Sequence, residues 1–213
     1  MRFNIWILLG RSWRKVGSEN CWVILSNNCA NLGAKCGDGT ISTIGRLLHF
    51  NLRNQFPLLT TKRVDWSEVA GELLAFISGF TDAELLKMNI SEIHGTVLQS
   101  CRSSVQFFVA NGELSCISGQ LSAEMDRGVP LNIASCALLT YMIAHITNLR
   151  PGDLKLNVGD AHVYLNKVEP LNKQLMRIPR PFPQLMINRQ ITEIKDFNFE
   201  DFEALGYNPY PNV

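Results

Sequence analysis

The sequence lacks a strong charge of either sign. Its 20 lysines and arginines almost balance its 19 aspartates and glutamates, which leaves a formal net charge of +1 over 213 residues. Attraction to nucleic acid or to an anionic membrane surface needs a larger basic excess, so neither is expected as the default partner. The sequence also lacks an internal repeat and a low-complexity linker. Its length therefore predicts one α+β or α/β domain with a well-buried core.

A paired-cysteine motif is absent as well. No CxxC occurs, and the cysteines lie at irregular spacings, at Cys21, Cys29, Cys36, Cys101, Cys116 and Cys136. This spacing argues against a zinc site and against a disulfide scaffold, so we expect no bound metal. Free thiols suit a reducing compartment. We therefore expect a cytoplasmic protein, with the nucleus or a mitochondrion as alternative locations.

The N-terminal residues lack a complete secretion signal. The apolar stretch FNIWILLG is brief, no small-residue cleavage site follows it, and RSWRK comes next. Secretion is therefore not expected. Residues 1–34 contain apolar patches without a sustained period, which suits either one helix or a poorly ordered arm. We expect residues 1–34 to form a divergent N-terminal arm ahead of a folded domain at residues 35–213.

The longest run without a formally charged residue covers residues 130–149, PLNIASCALLTYMIAHITNL. Pro130 suits the first turn of a helix, because its missing N–H would have no intrahelical partner there. Apolar side chains recur at three-and-four spacing, and the positions between them are mostly small or apolar, which predicts a helix buried on nearly all sides. Its asparagine, serine, threonine and histidine side chains are too many for a lipid-facing span. We expect the central helix of a core, with Asn132 in its first turn facing a ligand.

Two further elements have clear local signals. The stretch DWSE at residues 65–68 predicts the start of a helix. Its buried face is expected to contain Val69, Leu73, Phe76 and Ile77. The Asn-Gly turn at residues 111–112, between apolar runs, predicts a β-hairpin. Cys101 then lies where one strand begins, and residues 120–124 lie where its neighbour ends.

The other predicted elements have weaker signals. They are a bent strand or strand pair at 41–52, a helix (AELLKMN) followed by a polar connection within 81–96, a strand at 153–158, a helix at 163–176, an extended proline-rich connection at 179–183, a strand at 185–191 and an acidic, aromatic tail at 196–213.

Four separated stretches resemble thymidylate synthase. They are NQFPLLTTKRV with GELLAFISG, then GVPLNIASCALLTYMIAHITNLRPGD, then VGDAHVYLNKVEPL, and finally PRPFPQL with FEDFEALGYNPYP. They follow the family's order and cover residues 35–213. The resemblance implies a single α+β domain, with a mixed β-sheet packed on the long buried central helix and with further helices. It also implies reductive methylation of dUMP to dTMP, with 5,10-methylenetetrahydrofolate as the co-substrate and a homodimer as the assembly.

This chemistry requires one correctly placed thiol. C5 of uracil is a poor nucleophile until a group adds to C6, and a cysteine thiolate can make that addition. Cys101, in LQSCRSSVQFFV, falls where the family has its nucleophile, and Arg102 stands where the family has a histidine. A neighbouring cation favours the thiolate. Without the resemblance, Cys101 would be interpreted as a small hydrophobic residue at the start of a strand.

The resemblance implies roles for the remaining site residues. Asn132 matches the asparagine that contacts O4 and N3 of the pyrimidine, and an amide offers both the donor and the acceptor for this. From the residues alone, Asn132 could equally cap the helix. The other implied roles are catalytic water and proton transfer for Glu72, phosphate contacts for Lys35 and Ser122 with Gln120 beside them, 3′-hydroxyl contacts for His162 and Tyr164, and folate binding for Glu124.

The sequence departs from the family where the dUMP phosphate is held. Two family arginines align with Lys35 and Leu121, and an arginine pair is absent because the interior segment has shrunk to about residues 82–100. If each lost contact contributed ~1.5–3 kcal/mol, nucleotide binding would weaken by roughly 10³-fold or more. An alternative is therefore a catalytically impaired relative, a splice form or a damaged gene copy. It would act as a nucleotide or RNA binder, as a partner of a full-length enzyme, or without a selected role. A pyrimidine hydroxymethylase is a further alternative.

Overall fold

The computed structural model describes residues 39–79 and 102–212. The predictions for the N-terminal arm, Lys35, the helix within 81–96, the shortened interior segment and Cys101 lie outside these residues.

The central feature of the fold is a mixed four-stranded sheet. Its strands are β1 (Thr40–Asn51), β2 (Arg102–Ala110), β3 (Glu113–Glu124) and β4 (Arg150–Tyr164), in the order β1-β4-β3-β2. β3 and β4 are parallel, whereas the other two neighbouring pairs are antiparallel. Helices pack with this sheet in one unit, so the predicted α+β class with a mixed sheet is confirmed.

The predicted hairpin is formed by β2 and β3. Asn111 and Gly112 both have positive φ, at 54° and 73°, as the two central residues of a tight hairpin turn require. The resulting register places the Cα of Arg102 opposite that of Gln120. The first described residue of this hairpin is therefore a direct neighbour of a predicted site residue.

Helix α1 (Trp66–Ile77) begins where the sequence predicts. The Asp65 side chain accepts a hydrogen bond from the Ser67 N–H and caps the helix. Val69 and Leu73 are buried as expected, but Phe76 is 54% exposed, so that part of the prediction is wrong. The buried side of the helix surface is centred between the directions of Val69 and Ala70. Because successive side chains are rotated by about 100°, Phe76 points to the edge of that side and remains partly in solvent.

Helix α2 (Gly128–Ile146) is the predicted central helix, and 14 of its 19 residues are buried. It packs against β3, β4 and α1. Within residues 39–79 and 102–212 it is the one helix long and apolar enough to cross a membrane. However, 72% of its apolar window is buried inside the protein, as in the core helix of a globular fold.

The C-terminal elements differ from the sequence predictions in their boundaries. Helix α3 is Val168–Leu175, preceded by a 3₁₀ turn at Leu165–Lys167. The helix predicted to start at residue 163 therefore starts five residues late, because Val163 and Tyr164 pair with β1 and extend β4. Strand β5 (Gln184–Ile187) is shorter than predicted. It pairs with β6 (Phe202–Leu205), so the expected tail contributes a strand.

The sheet is interrupted at one row across three strands. Gly45, Gly159 and Leu121 occupy this row, and the ladders skip it on both sides of β4. Gly45 has a φ of 70°. A Cβ on Gly159 would lie 2.7 Å from the Leu121 carbonyl oxygen, so only glycine permits this approach of the two backbones.

The interruption reverses which residues of β3 and β4 face the core. Before it, the buried positions of β3 have even numbers and end at Gln120; after it they have odd numbers, starting at Ala123. The same change occurs in β4 between Val158 and Ala161. Because side chains alternate along a strand, the side chains beyond the interruption at even positions turn away from the core. Those positions include Ser122, Glu124, His162 and Tyr164.

A charged cluster joins β1, β3 and β4 at the end of the sheet that is far from the interruption. Arg53, just after β1, donates to Glu113 of β3 at 2.6 Å and to Asp153 of β4 at 2.9 Å. The hydrogen bond from Arg53 lowers the pKa of Glu113. Burial opposes ionisation of Asp153, but hydrogen bonds from Arg53 and His49 outweigh it, and its pKa also falls below the ordinary value.

Arg53→Met should therefore destabilise the fold in a pH-dependent way. The two carboxylates have lowered pKa values when folded, so their contribution is present above the ordinary values of 4.5 and 3.8 and is lost as the pH falls through the lowered values. We expect the difference in unfolding free energy between wild type and variant to be largest near neutral pH and to shrink below about pH 4. Urea unfolding at several pH values measures it. Lys155→Met, on an exposed β4 position, is the control, and a pH-independent effect of Arg53→Met would contradict the expectation.

Candidate active site

The Asn132 side chain is buried in the first turns of α2 and has no hydrogen-bond partner in the described part of the chain. It is 2% exposed, and neither its Oδ1 nor its Nδ2 has a hydrogen-bond partner among the described residues. A buried amide that makes no hydrogen bond costs free energy, so such groups in native proteins need an explanation. The alternative that Asn132 caps the helix is wrong, because α2 begins at Gly128 with Arg127 at the cap position. The amide is positioned to bind a group from outside the described chain.

Gln120 and His162 carry two more such atoms. Gln120 is 3% exposed; its Nε2 donates to the Ser122 carbonyl at 3.1 Å, while its Oε1 is buried and has no partner among the described residues. The Nδ1 of His162 is likewise buried and makes no hydrogen bond within the described part of the chain, although Asp160 Oδ2 lies 3.4 Å away. Three of the predicted site residues thus have buried polar atoms that make no hydrogen bond to another described residue.

The strand register brings other predicted site residues together. Glu124 is opposite His162 across the parallel β3–β4 pair, and Ser122 is opposite Asp160. The rings of His162 and Tyr164 contact each other edge to face, with centroids 5.7 Å apart. Ser122 is exposed and Tyr164 is half-buried. These side chains follow the interruption in the sheet, whereas Gln120 precedes it and turns to the α2 side.

Glu124 has a role that the sequence did not predict. Its carboxylate accepts hydrogen bonds from the backbone N–H groups of Asp126, Arg127 and Gly128 at 2.9, 2.8 and 3.0 Å. It thereby satisfies donors at the start of α2 and places a negative charge near the positive end of the helix dipole. Both carboxylate oxygens are already engaged, so Glu124 holds the β3–α2 connection in place. A carboxylate four residues before the start of a helix was the available sequence signal.

Glu72 lies on α1 in a half-buried position, and α1 packs against α2. Leu121, at the position of a family arginine, is 68% exposed. The site therefore presents an apolar side chain beside Ser122. Cys101 and Lys35 lie outside the described residues, so their roles stay predictions.

A cleft of about 350 Å³ lies beside the start of α2, and sequence reasoning missed it. Charged residues from three parts of the chain dominate its walls. Its lining residues are Lys62, Arg63, Val64, Asp65, Glu68, Asp126, Arg127, Pro130, Leu131, Lys167, Pro170, Gln174 and Asn212. Lys62 and Arg63 belong to the TTKRV stretch that carries part of the family resemblance. Asp126 and Arg127 lie two and three residues after Glu124, so the cleft adjoins the predicted folate-binding position.

Comparisons with known proteins identify the family. A family model described as thymidylate synthase matches residues 18–93 and 85–213. The chain is 37% identical over 256 aligned positions to thymidylate synthase of varicella-zoster virus (strain Dumas), covering 83% of this chain and 85% of that protein. It is also 37% identical over 258 positions to human thymidylate synthase, covering 84% and 82%. For the thymidylate synthase of equine herpesvirus 2, the identity is 37% over 269 positions, covering 89% and 93%. These matches and the fold show that the chain belongs to the thymidylate synthase family.

Proposed function

We propose that this chain is a thymidylate synthase that converts dUMP to dTMP with 5,10-methylenetetrahydrofolate. The observation that carries the proposal is the Asn132 amide, which is buried and unsatisfied within the described chain. Uracil presents an N3–H donor beside an O4 acceptor. The Oδ1 and Nδ2 atoms of one amide can accept from the first and donate to the second. Binding the base would therefore satisfy both orphaned atoms at once.

In this proposal, His162 and Tyr164 bind the sugar of dUMP and Asn132 binds its base. His162 and Tyr164 share an edge-to-face contact and turn away from the core, which suits them to hold the 3′-hydroxyl. The unsatisfied Oε1 of Gln120 offers an acceptor on the other side of the sheet interruption. The Asn132 amide then fixes the orientation of the base relative to these groups.

The chemistry starts with a thiolate in this proposal. The sulfur of Cys101 adds to C6 of uracil, and the electron pair moves through C5 to O4, which makes C5 nucleophilic. Residue 102 begins β2 opposite Gln120, and Cys101 directly precedes it in the sequence. Glu72 organises water and proton transfer near O4. Bound methylenetetrahydrofolate supplies the one-carbon unit and the reducing equivalent.

The cleft beside α2 supports folate binding in this proposal. Its volume of about 350 Å³ suits part of a drug-sized ligand. Cations at Lys62, Arg63 and Lys167 suit the glutamate carboxylates of a folate. Because the Glu124 carboxylate already binds three backbone N–H groups, its contribution is to position the loop that forms the cleft wall.

Phosphate binding is the weak part of this site. Leu121 cannot form the charge-assisted hydrogen bond of an arginine, and its side chain is exposed next to Ser122. The alignments run over 256 or more positions although the chain has 213 residues, which agrees with an interior segment missing from this chain. We therefore propose dUMP affinity near the millimolar range. This weakness also favours the second candidate function, that of an impaired relative that binds nucleotide without turnover or joins a full-length enzyme.

Tyr164→Phe should lower dUMP affinity by about tenfold, because one hydrogen bond to the 3′-hydroxyl is lost. Isothermal titration with dUMP measures this. The same substitution should leave the affinity for 2′,3′-dideoxyuridine monophosphate unchanged, since that ligand lacks the hydroxyl. Wild type should bind dUMP saturably and more tightly than the dideoxy analogue. If wild type gave no saturable binding at millimolar dUMP, the proposed function would be wrong.

A homodimer is the assembly we propose. Ile44, Leu47 and Phe108 are exposed apolar side chains on the face of the sheet that α2 leaves uncovered. They lie on β1 and β2, the two edge strands of the sheet, and exposed apolar side chains on one face favour burial against a second copy. Cys116 and Cys136 are buried and form no disulfide among the described residues, which agrees with a cytoplasmic location, which we also propose.

Leu47→Glu should convert the dimer to a monomer, because it places a charge on that face. Size-exclusion chromatography with light scattering measures the mass. Met176→Glu is the matched control, since Met176 is also an exposed apolar residue but lies after α3, away from the sheet. A wild-type chain that runs as a monomer would contradict the proposed assembly.

A further inference from the structure

We infer that Asp126 limits the affinity of the cleft for anionic ligands by holding Lys62 in an internal ion pair. Lys62 Nζ lies 2.7 Å from Asp126 Oδ1 and also donates to the Asp126 carbonyl oxygen at 3.0 Å. The Lys62 and Asp126 side chains are only 19% and 15% exposed. A second cation, Lys167, lies 3.9 Å from Asp126 Oδ2. One carboxylate thus neutralises the most enclosed cation of the cleft and faces another.

The remaining cations of the cleft differ in availability. Arg127 is paired with Glu68, whose side chain is mostly buried. Arg63 is exposed, and its charge helps to lower the pKa of the nearby Asp65 carboxyl, but it makes no hydrogen-bonded ion pair among the described residues. An incoming anion therefore finds Arg63 and Lys167, whereas Lys62 already donates two of its three N–H groups to Asp126, whose carboxylate also neutralises its charge.

This arrangement determines how the cleft responds to ligand charge. The inference rests on the proposed function, in which the cleft receives the glutamate end of a folate. Each γ-glutamate added to a folate adds one carboxylate that can pair with a cation. The Asp126 carboxylate competes for the same lysine and repels the incoming charge. The wild-type chain should therefore gain little affinity from a longer glutamate tail.

A purely structural role for Asp126 predicts the opposite result. The Lys62–Asp126 pair links the segment before α1 to the loop before α2, 64 positions apart. If it served only to hold the loop, Asp126→Asn would loosen the cleft and weaken every ligand. If Asp126 is a competitor, the same substitution removes the negative charge that neutralises Lys62 and strengthens the most anionic ligands most. The sign of the change distinguishes the two roles.

The experiment titrates three ligands into four forms of the full chain. The ligands are folate monoglutamate, folate triglutamate and a tri-γ-glutamate peptide without the pteridine. The forms are wild type, Asp126→Asn, the double variant Lys62→Met with Asp126→Asn, and Glu169→Gln. The last variant removes one carboxylate from a lysine pair on α3, outside the cleft, and controls for net charge.

Asp126→Asn should bind the triglutamate and the peptide about five- to tenfold more tightly than wild type does, with a smaller change for the monoglutamate. The double variant should lose this gain, and Glu169→Gln should behave as wild type. Equal or weaker binding of the two tri-glutamate ligands by Asp126→Asn, or no binding by that variant, would overturn the inference. A gain for the peptide without any added affinity from the pteridine would support the inference and count against folate as the occupant.

Discussion

The Asn132→Leu variant should be more stable than the wild-type chain and should no longer bind dUMP. Leucine has the same branched shape as asparagine but carries no polar atoms. In the described chain, both amide atoms of Asn132 are buried and unsatisfied, so their removal should raise the unfolding free energy by about 1–2 kcal/mol. The two hydrogen bonds to the base would be lost with them, which should weaken dUMP binding by roughly 100-fold. Urea unfolding and isothermal titration measure the two effects.

A neighbouring buried residue provides the control for this prediction. Thr140 lies on the same helix and is fully buried, but its hydroxyl donates to the Cys136 carbonyl at 2.7 Å. Thr140→Val removes a satisfied polar group of similar size, so it should not stabilise the fold and should leave dUMP binding unchanged. If Asn132→Leu lowered stability while dUMP binding persisted, the amide would be part of the core and the proposed binding of the base would be wrong.

The opposite signs of the two effects identify a functional residue. When a residue that only supports the fold is replaced by one that packs less well, the protein becomes less stable. Function is then lost because the protein unfolds. A polar side chain held without a partner in a core lowers stability, and it is retained where a ligand completes its hydrogen bonds. Asn132, Gln120 and His162 share this property, although they come from a helix and two strands.

Local sequence signals predicted the parts of the fold that depend on local physics. The uncharged run at 130–149 predicted the buried helix α2, because burial on all sides requires apolar residues at every spacing. The Asn111-Gly112 turn predicted the β2–β3 hairpin, because both residues tolerate a positive φ. The N-cap at Asp65 followed from the same kind of local chemistry.

Features that depend on contacts between distant residues escaped prediction. The row of Gly45, Gly159 and Leu121 reverses the faces of β3 and β4, but a two-residue period in one strand shows nothing about its neighbours. Because side chains alternate along a regular strand, Gln120 and Ser122 would be expected on the same face. The structure instead buries Gln120 and exposes Ser122. The Lys62–Asp126 pair likewise joins residues that only the fold brings together.

The site also had features that the sequence could predict and features that only the fold revealed. The family resemblance assigned Asn132, Gln120 and His162 to the site, and each of them has a buried polar atom without a hydrogen-bond partner among the described residues. It did not show that the Glu124 carboxylate is already engaged by three backbone N–H groups. That assignment requires the path of the loop at residues 125–127, where the chain carries Asp126 and Arg127 beside the cleft.

Incubation with 5-fluoro-dUMP and methylenetetrahydrofolate should give a covalent adduct on Cys101. The thiolate adds to C6 of the ring, and the fluorine at C5 cannot leave as a proton does, so the reaction stops with the ring attached to the sulfur. Intact-protein mass spectrometry should show the mass of the chain plus both ligands, and peptide mapping should place it at residue 101. Cys101→Ser should abolish the adduct, since a serine hydroxyl is a far weaker nucleophile at neutral pH than a thiolate.

The other cysteines test whether this reaction depends on position. Cys116 and Cys136 are buried in the core, so they should stay unmodified in both the wild type and Cys101→Ser. Asn132→Leu should also prevent the adduct while Cys101 is still present, because a base that is not held cannot bring C6 to the sulfur. An adduct that persists in Asn132→Leu would show that the reaction of the thiol does not depend on the Asn132 amide. Wild type that binds dUMP but forms no adduct at millimolar ligand would identify the chain as a nucleotide-binding relative without turnover.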